Sequence, residues 1–257
     1  MNSIVAMINK ELLEIYRGKK LLILAILFLF IAISSPVLAK LLPVILKSVP
    51  ATPGLTINIP DPTWRDAIDQ LVKNLSQIGM FVLIIIFAGS ISEEKNKRTL
   101  ELVLTKPVSR ASFIVAKFLA SILTVKLVFI IATIVFYLYT ISILGSFSLV
   151  NFLWLSIFSL VFLAFVVALT LFFSTIAKSQ IIALALVFFT EAVLAILFAS
   201  IHRIDKYSPS YVFGKYKDLM ANGQIQDFLP SVTVSIIAIV GFLLLSIYFF
   251  RKQEIER

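Results

Sequence analysis

Six long apolar runs divide this chain, and shorter polar segments separate them. A helix that crosses the hydrocarbon core of a bilayer needs about 20 predominantly apolar residues. The runs therefore predict six transmembrane helices, over residues 21–39, 75–92, 113–140, 152–177, 180–201 and 230–250. The sequence thus predicts an all-α, polytopic membrane protein that forms a single domain over residues 1–257.

The segment before the first run, residues 1–20, predicts an amphipathic helix. Its apolar face comprises Ile4, Ile8, Leu12, Ile15 and Tyr16. Its polar face comprises Lys10, Glu14 and Arg17. Such a helix is typical of a segment that lies along the membrane interface before the chain turns into the bilayer. A helix packed on another part of the protein is the alternative.

Two longer polar segments, 40–74 and 202–229, predict a small external cap. Prolines favour extended or turned backbone in the first segment. Thr63 then caps a helix that begins at Trp64. The second segment carries Tyr207 and Tyr211, and aromatic side chains of this kind are enriched at the level of the lipid headgroups. We therefore expect Trp64, Tyr207 and Tyr211 to form part of the cap.

Composition and charge support a membrane protein and set its orientation. Of the residues, 60% are hydrophobic and 14% are charged, whereas soluble domains average about 25% charged. The net charge of +9 lies in short runs beside the apolar segments, which argues against nucleic acid binding. Basic residues are denser in the terminal segments and in 93–112, so we expect these on the cytoplasmic side of a plasma or inner membrane.

The segment 93–112 is the most informative part of the chain. Leu100, Val103 and Leu104 form a small apolar ridge at helical spacing. The acidic Glu93, Glu94 and Glu101 and the basic Lys95, Lys97 and Arg98 surround this ridge. An apolar centre with a charged rim is typical of a protein–protein contact. A merely solvated connecting loop is the alternative, and charge runs often are solvated loops.

The order of residues in this segment resembles a known family. Glu93-Glu94 is followed by basic residues, then Thr99-Leu100-Glu101-Leu102, and then Pro107-Val108-Ser109-Arg110 before a basic helix start that includes Lys117. This pattern is similar to that of the type-2 permeases of ATP-binding-cassette (ABC) exporters. Lys10-Glu11-Leu12 before the first span resembles the usual opening of the same family. One residue departs from the pattern, because Arg98 stands where the family has glycine.

The resemblance implies a function and a set of partners. It implies the permease subunit of an ATP-driven exporter that pairs with a second copy, or with a paralogous subunit, and binds two copies of a separate ATPase. ATP and Mg²⁺ would bind to the ATPase, and no cofactor or metal is expected on this chain. The residues that would contact the ATPase are Glu93, Glu94, Arg98, Thr99, Leu100, Glu101, Leu102, Val103 and Leu104.

Other functions fit the sequence less well. Glu93-Glu94-x-x-x-Arg98 matches a box of an intramembrane protease family, but that chemistry needs histidines within the membrane, and the single histidine, His202, is predicted on the opposite side. Motifs for zinc binding, for a nucleophilic serine and for a phosphate-binding loop are absent from the sequence. A stand-alone secondary transporter remains the alternative function, although such proteins use several intramembrane acids and often contain repeats.

Two charged residues lie inside predicted spans. Lys126 and Glu191 are each predicted near the middle of the membrane, where an isolated charge is costly. We expect them either to pair across a polar passage or to be satisfied separately, Lys126 by reaching the interface and Glu191 by bonding to nearby hydroxyls.

Overall fold

The described part of the chain is a bundle of long helices. The computed structural model describes residues 3–48, 61–96, 109–201 and 203–252 of the 257 residues. Within these ranges the chain forms helices and connecting turns and no strand, and six helices are long and apolar enough to cross a membrane. The predicted all-α, polytopic membrane fold is therefore confirmed.

The helices follow the order of the apolar runs. They are α1 (Ser3–Arg17), α2 (Lys20–Ser48), α3 (Trp64–Asn74), α4 (Met80–Asn96), α5 (Arg110–Leu144), α6 (Leu149–Ile176), α7 (Gln180–Ser200), α8 (Tyr211–Asn222) and α9 (Leu229–Lys252). A π-helical turn joins α3 to α4, and a 3-10 turn lies on each side of α8. We call the end of the bundle where α4 stops and α5 begins the loop end, and the opposite end, with α3 and α8, the cap end.

Helix α6 is the centre of the bundle. It packs against α4, α5, α7, α8 and α9. Its residues 165–171 are buried without interruption, so neighbouring helices cover every face at that level. A helix that is apolar all round is expected in such a position. The other spans surround α6 and leave apolar faces exposed, as expected for a protein in lipid.

Helix α2 extends beyond the predicted first span. Helix α2 continues to Ser48, past Pro36 and Pro43, whereas the prediction ended the span at residue 39. Next to the first proline, the Ser35 hydroxyl donates to the Ile31 carbonyl at 2.7 Å and accepts from the Asn74 amide at 3.1 Å. Side-chain hydrogen bonds of this kind help a membrane helix to tolerate proline.

The predicted helix after Thr63 is present. The Asp66 carboxylate accepts from the backbone N–H of Thr63 at 2.7 Å and from its hydroxyl at 3.0 Å. Buried Ala67, Ile68 and Leu71 pack this helix, α3, into the bundle, where α2 is its main neighbour. The π-helical turn over Leu75–Gly79 then carries it directly into α4, so that residues 64–96 form one continuous helix.

Helix α1 has a different buried face from the one predicted. Met7, Glu11 and Ile15 are buried, while Tyr16, which was placed on the apolar face, is 69% exposed. The reason is that α1 packs mainly against α5, whose buried lysine attracts an acidic residue. The helix itself is confirmed; its position at a membrane interface stays a prediction.

Candidate functional site

A buried cluster of charges joins three helices at the loop end. Lys117 of α5 lies between Glu11 of α1 and Glu94 of α4, with its Nζ atom 2.8 Å from a carboxylate oxygen of each. The side chains of Lys117, Glu11 and Glu94 are 3%, 5% and 12% exposed. A buried charge is stable only when it is paired and hydrogen-bonded, so these residues hold one another in place. We call Lys10, Glu11, Glu14, Glu94 and Lys117 the charge cluster.

Lys10 and Glu14 form the outer part of the charge cluster. The Lys10 Nζ atom lies 2.8 Å from Glu14 and 2.9 Å from Glu11. Burial by itself would lower the pKa of Lys10, but the carboxylates of Glu14 and Glu11 outweigh it and raise that pKa. Burial likewise opposes ionisation of Glu14, but the hydrogen bond from Lys10 and nearby positive charge lower the pKa of this carboxyl. Both side chains are therefore charged at neutral pH.

Three carboxylates of the charge cluster converge as metal ligands could. Oxygens of Glu11, Glu14 and Glu94 lie within 4.8 Å of one another. However, the ammonium groups of Lys10 and Lys117 already contact these carboxylates at 2.8–3.5 Å. The cluster thus has the chemistry of an ion-pair network and not that of a metal centre.

Further contacts fasten both ends of the loop that connects α4 to α5. Lys95 donates through Nζ to the carbonyl of Thr175 in α6. On the other side of the loop, Arg110 donates to the carbonyls of Phe250 and Arg251 in α9, both at 3.0 Å. The last turn of α4 and the first turn of α5 are therefore tied to α6 and α9 as well as to α1.

Ser109 forms an N-cap at the start of α5. The Ser109 hydroxyl accepts from the backbone N–H of Ser112 at 3.0 Å. One turn later, Phe113 stacks on Phe250 of α9 with ring centroids 5.3 Å apart. These contacts fix the position and direction of α5 where it leaves the loop.

The predicted ATPase-contacting residues divide into two groups. Arg98, Thr99, Leu100, Glu101, Leu102, Val103 and Leu104 lie outside the described residues. Glu94 faces the interior through the charge cluster. Glu93 is half-buried and folds back along α4, because a Cβ atom added at Gly89 would lie 2.5 Å from its Oε1 atom. Glu94 therefore links the end of α4 to Lys117 and Lys10, and Glu93 lies against Gly89 of the same helix.

The predicted cap residues occupy two separate places at the cap end. Trp64 stacks on Phe147 with ring centroids 5.5 Å apart. Tyr211, at the start of α8, packs on Phe228 at 5.4 Å, while Tyr207 is exposed in a 3-10 turn. The three residues share the same end of the bundle, but Trp64 and Tyr211 line different cavities.

An ion pair and a hydrogen bond connect α3 to α8. Asp69 accepts a hydrogen bond from the Tyr216 hydroxyl, and its other oxygen lies 3.2 Å from the Lys217 Nζ atom. Burial and the hydrogen bond to Asp69 raise the pKa of Tyr216 above its ordinary value. These contacts connect α8 to the start of the second span. No pattern in the sequence links Asp69 to Tyr216.

Lys126 and Glu191 are not joined within the chain. Lys126 is exposed on α5, and over the described ranges no ion pair connects it to Glu191. Glu191 instead lines a cavity of about 610 Å³ at the cap end, and its buried Oε1 atom has no hydrogen-bond partner among the described residues. The expected bonds from neighbouring hydroxyls to that oxygen are therefore not formed either.

Sequence reasoning identified the loop but missed the charge cluster beside it. In the sequence, Glu11 and Lys117 stand out only as parts of the family resemblance. A charge at the edge of an apolar run looks the same whether it faces water or a partner helix. Glu11 did carry a signal, since it stands between Met7 and Ile15 at helical spacing.

Comparisons with known proteins agree with the resemblance. Residues 5–255 match the model of a family described as "ABC-2 family transporter protein". Over 257 residues the chain is also 24% identical to a Bacillus subtilis (strain 168) protein described as "Uncharacterized transmembrane protein YxlG", and the match covers 99% of each chain.

Proposed function

We propose, from the premise that this chain belongs to the ABC-2 family of transporter proteins, that it is the permease subunit of an ATP-driven exporter. Membership makes the chain a membrane component of a transport system. The further proposal is that a separate ATPase subunit binds the loop between α4 and α5 and drives transport from there. ATP and Mg²⁺ would bind to that ATPase subunit.

One observation carries the proposal: both ends of this loop are fastened to the bundle by specific polar contacts. The end of α4 is held by Glu94 to Lys117 and by Lys95 to α6. The start of α5 is held by Arg110 to α9. A merely solvated loop has no need of such anchors, whereas a loop that transmits force needs them, because slack at either end would absorb the movement.

The arrangement also suggests how movement of the loop would spread. If an ATPase displaces the loop, α4 and α5 move with it, and the charge cluster carries α1 along. The contacts of Lys95 and Arg110 extend the displacement to α6 and α9. ATP can shift the bundle between two arrangements only by the difference in its affinity for them.

Two copies of the chain would form the complete permease. The family resemblance implies twelve membrane helices and two ATPases per transporter, hence a homodimer or a pair with a paralogous subunit. Movement of the two ATPases towards each other on binding ATP would then displace both loops together. Both termini and the loop would lie on the cytoplasmic side of the plasma or inner membrane.

The experiment compares two charge reversals of the same kind, one in the loop between α4 and α5 and one just before α3. The tagged protein is purified from its native membrane, the co-purifying ATPase is identified, and ATP hydrolysis by the reconstituted complex is measured. Glu101→Lys in the loop should abolish the stimulation of hydrolysis by the permease, while membrane insertion and thermal stability stay normal. Asp61→Lys, an exposed residue just before α3, is the matched control and should leave hydrolysis unchanged.

Two outcomes would overturn the proposal. One is normal stimulation of hydrolysis by the Glu101→Lys variant, which would remove the loop from the coupling mechanism. The other is transport by the permease alone in liposomes without ATPase or ATP, which would assign the chain to the secondary transporters.

A further inference from the structure

The cavity around Glu191 has the form of a ligand site. It lies between α4, α6, α7 and α8 at the cap end and has a volume of about 610 Å³. Pockets for small organic molecules have volumes of about 300–1,000 Å³ and combine apolar walls with a few polar groups. In α7, Glu191 lies nine residues before Ser200, or about 14 Å along the helix axis. The cavity therefore extends about 14 Å along the helix axis from the cap end.

Glu191 is the acidic group deepest in this cavity. Its Oε1 atom is buried and accepts no hydrogen bond from any part of the protein that the structure describes. A buried carboxylate oxygen without a partner is costly, and a cationic ligand would remove that cost. In this respect Glu191 differs from the glutamates at the loop end, whose charges lysines already neutralise.

Part of the remaining cavity wall is aromatic, and most of the other lining residues are small. Phe162 and Phe213 meet edge to face at 4.9 Å, and Phe188 packs on Phe81 at 5.0 Å. Tyr211 completes this part of the wall. Aromatic faces attract organic cations and also provide an apolar surface for their hydrocarbon groups.

The other charged groups of the cavity lie towards its mouth. Asp205 belongs to the 3-10 turn after α7 and adds a second negative charge. Lys215 of α8 also lines the cavity but is exposed, and over the described ranges it forms no ion pair with Glu191. The charge of the cavity is therefore negative at its base and mixed at its mouth.

An irregularity of the backbone coincides with the same cavity. Ser76 lies in the π-helical turn between α3 and α4, and Met80 follows directly after it; both line the cavity. Single π-helical turns occur frequently at functional sites. Here the turn sets Ser76 and Met80 opposite the residues of α7.

We propose that this cavity binds an amphipathic organic cation, with the positive group at Glu191 and the apolar groups against the aromatic wall. The proposal rests on the proposed function in one respect, because it assigns this class of molecule as the cargo of the exporter. Binding itself needs neither ATP nor the ATPase. It can therefore be tested on the permease alone, and a failure here would leave the proposed coupling of the loop intact.

The test is equilibrium binding of radiolabelled tetraphenylphosphonium to the purified full chain in lipid nanodiscs, with empty nanodiscs subtracted. The unchanged protein should bind the cation saturably. Glu191→Gln should weaken binding roughly tenfold to a hundredfold, as expected for the loss of a charge-assisted contact. Glu191→Asp, which keeps the charge, should restore part of the affinity.

Two controls make the result specific. Asp227→Asn removes a carboxylate that is exposed and does not line the cavity, and it should leave binding unchanged. Tetraphenylmethane, a neutral molecule of similar shape, should compete weakly and equally for the unchanged protein and the Glu191→Gln variant. Absence of saturable binding by the unchanged protein, equal binding by a folded Glu191→Gln variant, or tighter binding of the neutral molecule would each overturn the proposal.

Discussion

Buried glutamates at the two ends of the bundle have opposite environments. At the loop end, Glu11 and Glu94 each lie 2.8 Å from the ammonium group of Lys117. At the cap end, the buried Oε1 atom of Glu191 has no hydrogen-bond partner in the described structure. The glutamates at the loop end are thus paired with a lysine, whereas Glu191 forms no ion pair among the described residues.

This difference separates a structural role from a binding role. A buried ion pair is strongly coupled to the fold, because removal of either partner leaves an uncompensated charge. A buried carboxylate without a partner contributes no such contact, and it is retained at a cost. The loop end should therefore respond to mutation through stability and coupling, and the cap end through ligand affinity.

The largest expected effect on stability follows from substitution of Lys117, at the centre of the charge cluster. Lys117→Met leaves Glu11 and Glu94 buried without their cation and should destabilise the fold by about 3–5 kcal/mol. The measurement is the free energy of unfolding of the purified protein in detergent. The triple variant Glu11→Gln, Glu94→Gln and Lys117→Met removes all three charges and should recover most of the loss. A single variant as stable as the unchanged protein would contradict the role of the cluster.

A smaller effect on stability is expected from substitution of Glu14, at the edge of the charge cluster. The Glu14 carboxyl has a lowered pKa in the folded state, so its contribution to stability is present above the ordinary pKa of 4.5 and is lost as the pH falls through the folded value. Helical pairs of this kind contribute only about 0.3–0.5 kcal/mol. Glu14→Gln should therefore make the melting temperature slightly less sensitive to acid. An unchanged or steeper decline of melting temperature below pH 5 would count against the assignment.

The smallest effect on stability is expected at the cap end. Glu191→Gln breaks no native hydrogen bond to the buried oxygen and removes a charge whose burial is costly, so the free energy of unfolding should not decrease. The measurement is the same detergent unfolding as for Lys117→Met. A large loss of stability would show that Glu191 has a structural partner, and the contrast between the two ends would then fail.

Some structural features, such as helix caps, could be predicted because they depend on residues that are close together in the sequence. The capping residues Thr63 and Ser109 act on the turn that directly follows them, and both caps are observed. The ends of spans were less predictable. Helix α2 continues past Pro43 because it packs along α3, and hydropathy does not report such packing.

The loop and the charge cluster show the same contrast between features that are local in the sequence and features that depend on helix packing. The loop was predicted as a site from an ordered set of neighbouring residues, and its role stays a prediction. The charge cluster could not be found in this way, because Glu11, Glu94 and Lys117 lie far apart in sequence and meet only when three helices pack. Pairing of Lys126 with Glu191, one of two alternatives drawn from the sequence, does not occur among the described residues. Similar predicted depth in the membrane says nothing about which face of a helix a side chain occupies.

The sequence by itself determined that this is a six-span membrane protein and which family its central loop resembles, since apolar length and residue order are properties of the chain alone. The tertiary structure decided which charges are paired and which form no ion pair among the described residues. The reason is that the cost of a buried charge depends on the atoms within a few ångströms of it, and only helix packing brings those atoms together.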